Sequence, residues 1–127
     1  MTIQLPPYAD FLRLTLVGEG DDLRVAMPAG DHVLGRPGFL HGGAITGLME
    51  IAGMVALHRA LGEDRPKVKP VNVTIDFMRG GRLVETFAQG SVTRIGNRIA
   101  NVAIEAWQDD PERPIAAARM IMSLNRS

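Results

Sequence analysis

The chain predicts an α+β fold in which one long helix is laid on one antiparallel sheet. Three observations carry that expectation. The run from His41 to about Leu61 has no Pro and many Ala, Leu, Met and Ile, and it is too long for a strand. Before and after it, shorter runs alternate apolar and polar residues with the period of two that a half-buried strand requires. Gly, Asn, Asp and Pro clusters separate those runs and supply turns.

Phe11 to Leu16 and Leu23 to Met27 alternate, and Gly18-Glu19-Gly20-Asp21-Asp22 lies between them, so they form a hairpin. Pro28 to Gly38 is a Gly- and Pro-rich loop. The helix follows and stops at Gly62-Glu63-Asp64-Arg65-Pro66. Val71, Val73, Ile75 and Phe77 alternate with Asn72, Thr74, Asp76 and Met78, and Gly80-Gly81 turns the chain. Leu83 to Ile95 is a long strand with a bend at Gly90. Gly96-Asn97 is a tight turn, and Ile99 to Trp107 puts Ala100, Val102, Ile104 and Ala106 on one face. The order is two strands, one helix, then three long antiparallel strands, with Pro114 to Leu124 closing the chain after the Asp109-Asp110-Pro111 turn.

Composition narrows the function classes. At 127 residues the chain is expected to be one domain, residues 1–127, with a single core. Fourteen basic residues balance fourteen acidic ones, so no global field directs it to nucleic acid or an anionic membrane. With no Cys there is no disulfide framework, thiolate metal site or Cys nucleophile. His32, His41 and His58 lack metal-ligand spacing, and no phosphate-binding P-loop is present. Met1 to Asp10 has neither the basic nor the apolar region of a signal peptide. The apolar stretch Ala44 to Leu57 falls short of the ~20 residues that span a bilayer, and it holds Glu50. A soluble cytoplasmic protein is expected.

The helix is apolar almost all round, so it should be buried. Gly43, Gly47, Glu50 and Met54 share one stripe. Glycines at 42, 43, 47 and 53 weaken the helix by roughly 1 kcal/mol each at interior positions, which close approach of another group would offset. Glu50 stands out. Its i±3 and i±4 neighbours are Gly47, Thr46, Gly53 and Met54, none of them basic. A carboxylate in apolar surroundings is costly unless paired, and the functional reading is a base or nucleophile held in a pocket. The structural reading is a Glu that reaches solvent or pairs with a distant Arg. At the helix start, His41-Gly42-Gly43 offers unpaired N–H groups that a ligand carbonyl can approach, the elements of an oxyanion hole.

Gly42 and Glu50 lie about 12 Å apart along the helix. Donor and attacking carboxylate must both come within ~3–3.5 Å of one carbonyl group. One helix cannot serve a single substrate with both, whereas two antiparallel copies can. A site built from these residues is therefore intersubunit, and the protein at least a C2 dimer.

These residues carry a resemblance. Gly38-Phe39-Leu40-His41-Gly42-Gly43 followed by Leu48-Met49-Glu50 resembles the G-x-x-HGG and L-x-D/E of the central helix in hotdog-fold acyl-CoA thioesterases of the PaaI-like group. Val73 to Arg79 resembles the strand after that helix, and Val92 to Arg98 a later strand with its Gly-basic turn. The resemblance implies a sheet wrapped around one helix and hydrolysis of a fatty or aromatic acyl-CoA. Glu50 would be nucleophile or general base, the Gly42 amide the oxyanion donor, and His41 a neighbour that orients the site. Gly43 and Met54 would face the substrate, and Met49, Met54 and Leu57 would line its acyl tunnel. Arg79, Gly80 and Gly81, with Arg94, Gly96, Asn97 and Arg98, would contact CoA, which enters as part of the substrate with no separate cofactor. Guanidinium groups suit phosphate. A homodimer or a homotetramer of two dimers would follow. The chain departs from the family's pattern at Gly35, Met54, Lys69-Pro70 and Gly80, where others carry polar residues or Pro. Two further classes remain open on the sequence: a hotdog hydratase acting on a β-hydroxyacyl thioester, and a non-catalytic acyl-CoA binder.

Overall fold

A computed structural model describes residues 3–126. The elements are α1 (Tyr8–Leu12), β1 (Thr15–Val17), β2 (Arg24–Met27), α2 (Gly42–Leu61), β3 (Lys67–Phe77), β4 (Thr86–Ile95), β5 (Ile99–Trp107) and β6 (Ala116–Asn125). The six strands form one antiparallel sheet in the order β1-β2-β4-β5-β6-β3, and α2 packs on it. This is the α+β arrangement of one helix on one sheet that the sequence predicts, and the hotdog fold that the resemblance implies.

The helix starts one residue later than read, with His41 as its cap, and ends at Leu61. Its 20 residues are long and apolar enough to cross a membrane by length and composition, more than the shorter apolar stretch suggested. They serve here as the central helix of the fold. Ala44, Ile45, Leu48, Met49, Ile51, Ala52, Val55 and Leu57 join one hydrophobic cluster with Ala100, Val102, Ile104 and Ala106 of β5 and Met120 and Met122 of β6. The buried β5 face is the one the alternation predicts.

Two glycines bring helix and sheet together. A Cβ on Gly90 would stand 2.9 Å from the Ala56 Cβ, 3.1 Å from the Ala52 carbonyl oxygen and 3.3 Å from the Gly53 Cα. A Cβ on Gly53 would meet Met120 and Ile104. The helix cost of Gly53 is thus offset by backbone-to-backbone approach. The irregularity in β4 lies between Val92 and Arg94, two residues beyond the expected bend.

Three segments differ from the sequence reading. Phe11 to Leu16 is not one strand: residues 8–12 form α1, Arg13 closes it in the left-handed region (φ 59°), and only Thr15–Val17 is strand. Ala9 and Leu12, at helical i, i+3 spacing, are both buried, so the helical period wins over the alternating one. β3 begins four residues before Val71 and lies at the sheet edge, which leaves Val71 and Phe77 more than half exposed. The segment after Trp107 is a full strand, β6, and it joins β5 to β3.

Candidate active site

The start of α2 can be described donor by donor. The first four N–H groups of a helix lack helical partners. His41 N–H donates to the Val33 carbonyl at 2.8 Å, and Ala44 N–H to the His41 carbonyl at 3.0 Å. Gly43 N–H donates to His41 Nδ1 at 2.8 Å, so the imidazole is the cap. Since Nδ1 accepts, the proton of the neutral ring sits on Nε2. The fourth donor, Gly42 N–H, has no partner among the described residues and is exposed. The Phe77 ring lies beside it, 3.6 Å from where a Gly42 Cβ would stand. A small acceptor approaching this end of the helix meets one free amide and the positive end of the dipole.

Glu50 is half-buried two turns further along, with Thr46 and Met54 half-buried on the same stripe. The Thr46 hydroxyl donates to the Gly42 carbonyl at 2.8 Å, which spends it on the backbone. The Glu50 carboxylate forms no ion pair or hydrogen bond among the described residues, and its oxygens reach solvent. Gly47 of the predicted stripe is buried beneath Tyr8 and Leu12 of α1, a close approach of the kind that offsets a helical glycine. Met49 and Leu57, expected to line an acyl tunnel with Met54, are instead fully buried in the protomer's own core.

The two arginine turns lie at opposite ends of α2. Leu40 N–H donates to the Gly81 carbonyl at 2.9 Å, and Gly80 packs against Phe39. The Arg79-Gly80-Gly81 turn therefore adjoins the residues leading into His41. It borders a cleft of about 310 Å³ lined also by Arg82, Arg113 and Asp109. Arg82 is committed to Asp109, so Arg79 and Arg113 are the unpaired cations there among the described residues. Arg113 carries no signal in the sequence, because it lies more than thirty residues from Arg79 and only the fold brings both to this cleft. At the other end, Arg126 bonds both Asp64, just past α2, and the Asn97 carbonyl. That ties the Gly96-Asn97 turn, with Arg94 and Arg98, to the helix C-terminus. A 20-residue helix is about 30 Å long, so one chain does not bring the two turns together.

A cavity of about 430 Å³ opens between α2, β2 and β4, with both members of the Arg59–Asp21 pair at its wall. None of the candidate residues lines it. Among the described residues no cluster of His, Asp and Glu could hold a metal ion.

The thioesterase superfamily matches residues 37–115, the stretch from just before His41 to the start of β6. A protein of Chromobacterium violaceum is 36% identical, with a TM-score of 0.76 over 94% of this chain and 83% of its own. A phenylacetic acid degradation-related protein of Ralstonia eutropha is 21% identical, with a TM-score of 0.80 over 96% and 92%. A Bacillus halodurans protein crystallised with CoA is 20% identical, with a TM-score of 0.81 over 94% and 79%. No curated protein matches the chain.

Proposed function

The chain belongs to the thioesterase superfamily, and from that premise we propose that it hydrolyses a fatty or aromatic acyl-CoA thioester to the free acid and CoA. The observation that carries the proposal is one free N–H and one unpaired carboxylate on a single helix, Gly42 at its start and Glu50 two turns on. Hydrolysis needs a group that activates the attack and a group that holds the oxyanion. Glu50 takes the proton of a water that adds to the thioester carbon, or attacks it directly to give an anhydride that water then opens. The Gly42 N–H of the other protomer holds the oxygen as negative charge develops there. The C–S bond breaks, CoA leaves as thiolate and takes up a proton. His41 Nε2–H is a donor beside that oxygen and orients the acyl group.

The intersubunit arrangement follows from distance. Gly42 and Glu50 of one helix are about 12 Å apart. An antiparallel pair of α2 helices sets Gly42 of one protomer against Glu50 of its partner. The same pairing sets the Arg79-Gly80-Gly81 turn of one protomer beside the Arg94, Gly96, Asn97 and Arg98 turn of the other, a cationic groove for the CoA phosphates. The open Thr46–Glu50–Met54 stripe and the exposed edge of β3 are the faces free for that association. The CoA-bound Bacillus halodurans relative supports the choice of thioester.

The test is thiol release across short, medium, long and aryl acyl-CoAs, with wild type and Glu50→Gln compared at equal melting temperature. The amide keeps the shape and removes the charge, so kcat should fall on the order of 10²- to 10⁴-fold with KM little changed. Near-wild-type kcat in Glu50→Gln would remove Glu50 from the mechanism.

A further inference from the structure

The sequence holds one Trp, and it is not in the core. Trp107 ends β5 and is half-buried. By alternation with Ala106 it stands on the face of the sheet turned away from α2, opposite Phe87 of β4. The two rings stack with centroids 6.0 Å apart and planes 28° from parallel, and the Arg24 guanidinium lies 5.7 Å from the centre of Phe87. They border a cleft of about 390 Å³ whose wall also carries Gln89. Gln89 Nε2 donates to the Asp21 and Leu23 carbonyls at 2.8 and 3.3 Å, which leaves the side-chain oxygen as an acceptor there. Both acids at this cleft are paired, Asp22 with Arg24 and Asp109 with Arg82. A cross-strand aromatic pair stabilises a sheet wherever it stands. One that borders a cleft beside an amide acceptor, with each carboxylate neutralised, is also a platform for a flat, uncharged heterocycle.

Position decides which heterocycle. Gln108 and Asp109 line this cleft and also the cleft of Arg79 and Arg113, so the two share a wall. Gln108 fixes that wall: it accepts from Arg82 N–H at 3.2 Å and donates to the Arg82 carbonyl at 2.8 Å and the Thr86 hydroxyl at 3.0 Å. Both clefts sit at the end of the sheet where α2 begins. Ala116 of β6 pairs with Ala106, next to Trp107, and with Phe77, which lies beside Gly42. Outward from Gly42 there come two unpaired guanidinium groups and then an aromatic platform. A thioester carrier that ends in phosphates and an adenine has its groups in the same order. We infer that Trp107 and Phe87 stack the adenine of CoA while Arg79 and Arg113 hold its phosphates. The inference rests on the acyl-CoA reading and adds a site for the nucleotide end of that substrate. Guanidinium binds phosphate through paired N–H groups, and a base stacks on an aromatic ring whatever its sequence context. The Gln89 oxygen suits the exocyclic amino group of adenine.

Because Trp107 is the only Trp, the intrinsic fluorescence of the unaltered protein reads this cleft directly. CoA and adenosine 3′,5′-bisphosphate should each quench it, and pantetheine should not. Calorimetry then gives the affinity of CoA for the variants. Trp107→Leu should weaken it roughly 5- to 150-fold, the size of one base–aromatic contact, and Trp107→Phe should recover most of the loss. Arg113→Ala should weaken adenosine 3′,5′-bisphosphate and flatten the salt dependence of its binding. A Trp107→Leu protein that melts lower yet binds CoA as wild type does overturns the inference, because the ring pair then serves the sheet alone. So does a wild type that binds CoA with no change in fluorescence. Thiol release on the same sample keeps the two readings apart. Quenching by CoA without hydrolysis of any acyl-CoA supports the nucleotide site and removes the hydrolase reading. Hydrolysis without quenching does the reverse. A protein that neither binds CoA nor hydrolyses its thioesters removes both.

Discussion

His41 ties the geometry of the helix start to a single rotamer. Its Nδ1 holds the Gly43 amide, and a Cβ on Gly43 would stand 2.9 Å from that nitrogen. Ala at this position therefore displaces the imidazole, and the cap it provided is worth about 1 kcal/mol. Ala at Gly42 meets only the Phe77 ring at 3.6 Å, an ordinary contact. Urea midpoints should place Gly43→Ala about 1 kcal/mol below Gly42→Ala, although both exchanges gain the same helix propensity. Equal midpoints would show that the cap contributes nothing. His58 gives a pH-dependent counterpart. Burial lowers its pKa from the ordinary 6.5, and the Arg65 guanidinium lowers it further. As pH falls, the unfolded chain takes up this proton before the native one. Stability should then decline below about pH 6.5 and level off above it. In His58→Gln that part of the slope should vanish, as unfolding at about pH 7.5 and about pH 5.5 would reveal. The charge at Glu50 was legible in the sequence because it interrupts an apolar run. The direction of the His41 ring was not, because it depends on which first-turn amide lacks another acceptor.

Elements were legible wherever one period dominates. α2 has no competing alternation, and β5 alternates without a break, so both match the sequence reading closely. α1 was misread because Leu12-Arg13-Leu14-Thr15-Leu16 alternates, while the residues that fix the segment are the buried Ala9 and Leu12, the latter against Gly47 of α2. A five-residue helix has too few turns to outweigh that pattern, and its packing partner lies more than thirty residues away in sequence. The long strand through Gly90 carries its own test. Ala there would meet the Ala52 carbonyl and the Gly53 Cα, which are backbone and cannot rotate aside. Helix and sheet must separate by a few tenths of an ångström. Gly90→Ala should cost about 1–3 kcal/mol, read as a lower urea midpoint with unchanged m-value. A midpoint at or above wild type would mean that the helix–sheet spacing is soft.

For the whole molecule, the decisive question is whether the site belongs to one chain or to two, and two variants answer it together. Gly42 is the first residue of α2, where proline is well tolerated because its missing N–H is unpaired there in any case. His41 already has the extended backbone that a residue before proline prefers (φ −68°, ψ 133°). Gly42→Pro thus deletes the proposed oxyanion donor and keeps the helix, and kcat should fall on the order of 10²- to 10³-fold. Glu50→Gln removes the proposed carboxylate. Each homogeneous protein should be nearly inactive. In a mixed dimer, a shared site puts both lesions in one active site and none in the other. Statistical mixing makes about half the dimers mixed, so co-expressed or co-refolded chains should regain roughly a quarter of wild-type kcat per site. If each chain carries its own site, every site in the mixture holds one lesion and nothing is regained. Light scattering on the same mixture should give at least twice the 13.8 kDa chain mass. A mixture that forms such dimers yet stays inactive would rule out the shared site, because the defects would then lie within one chain.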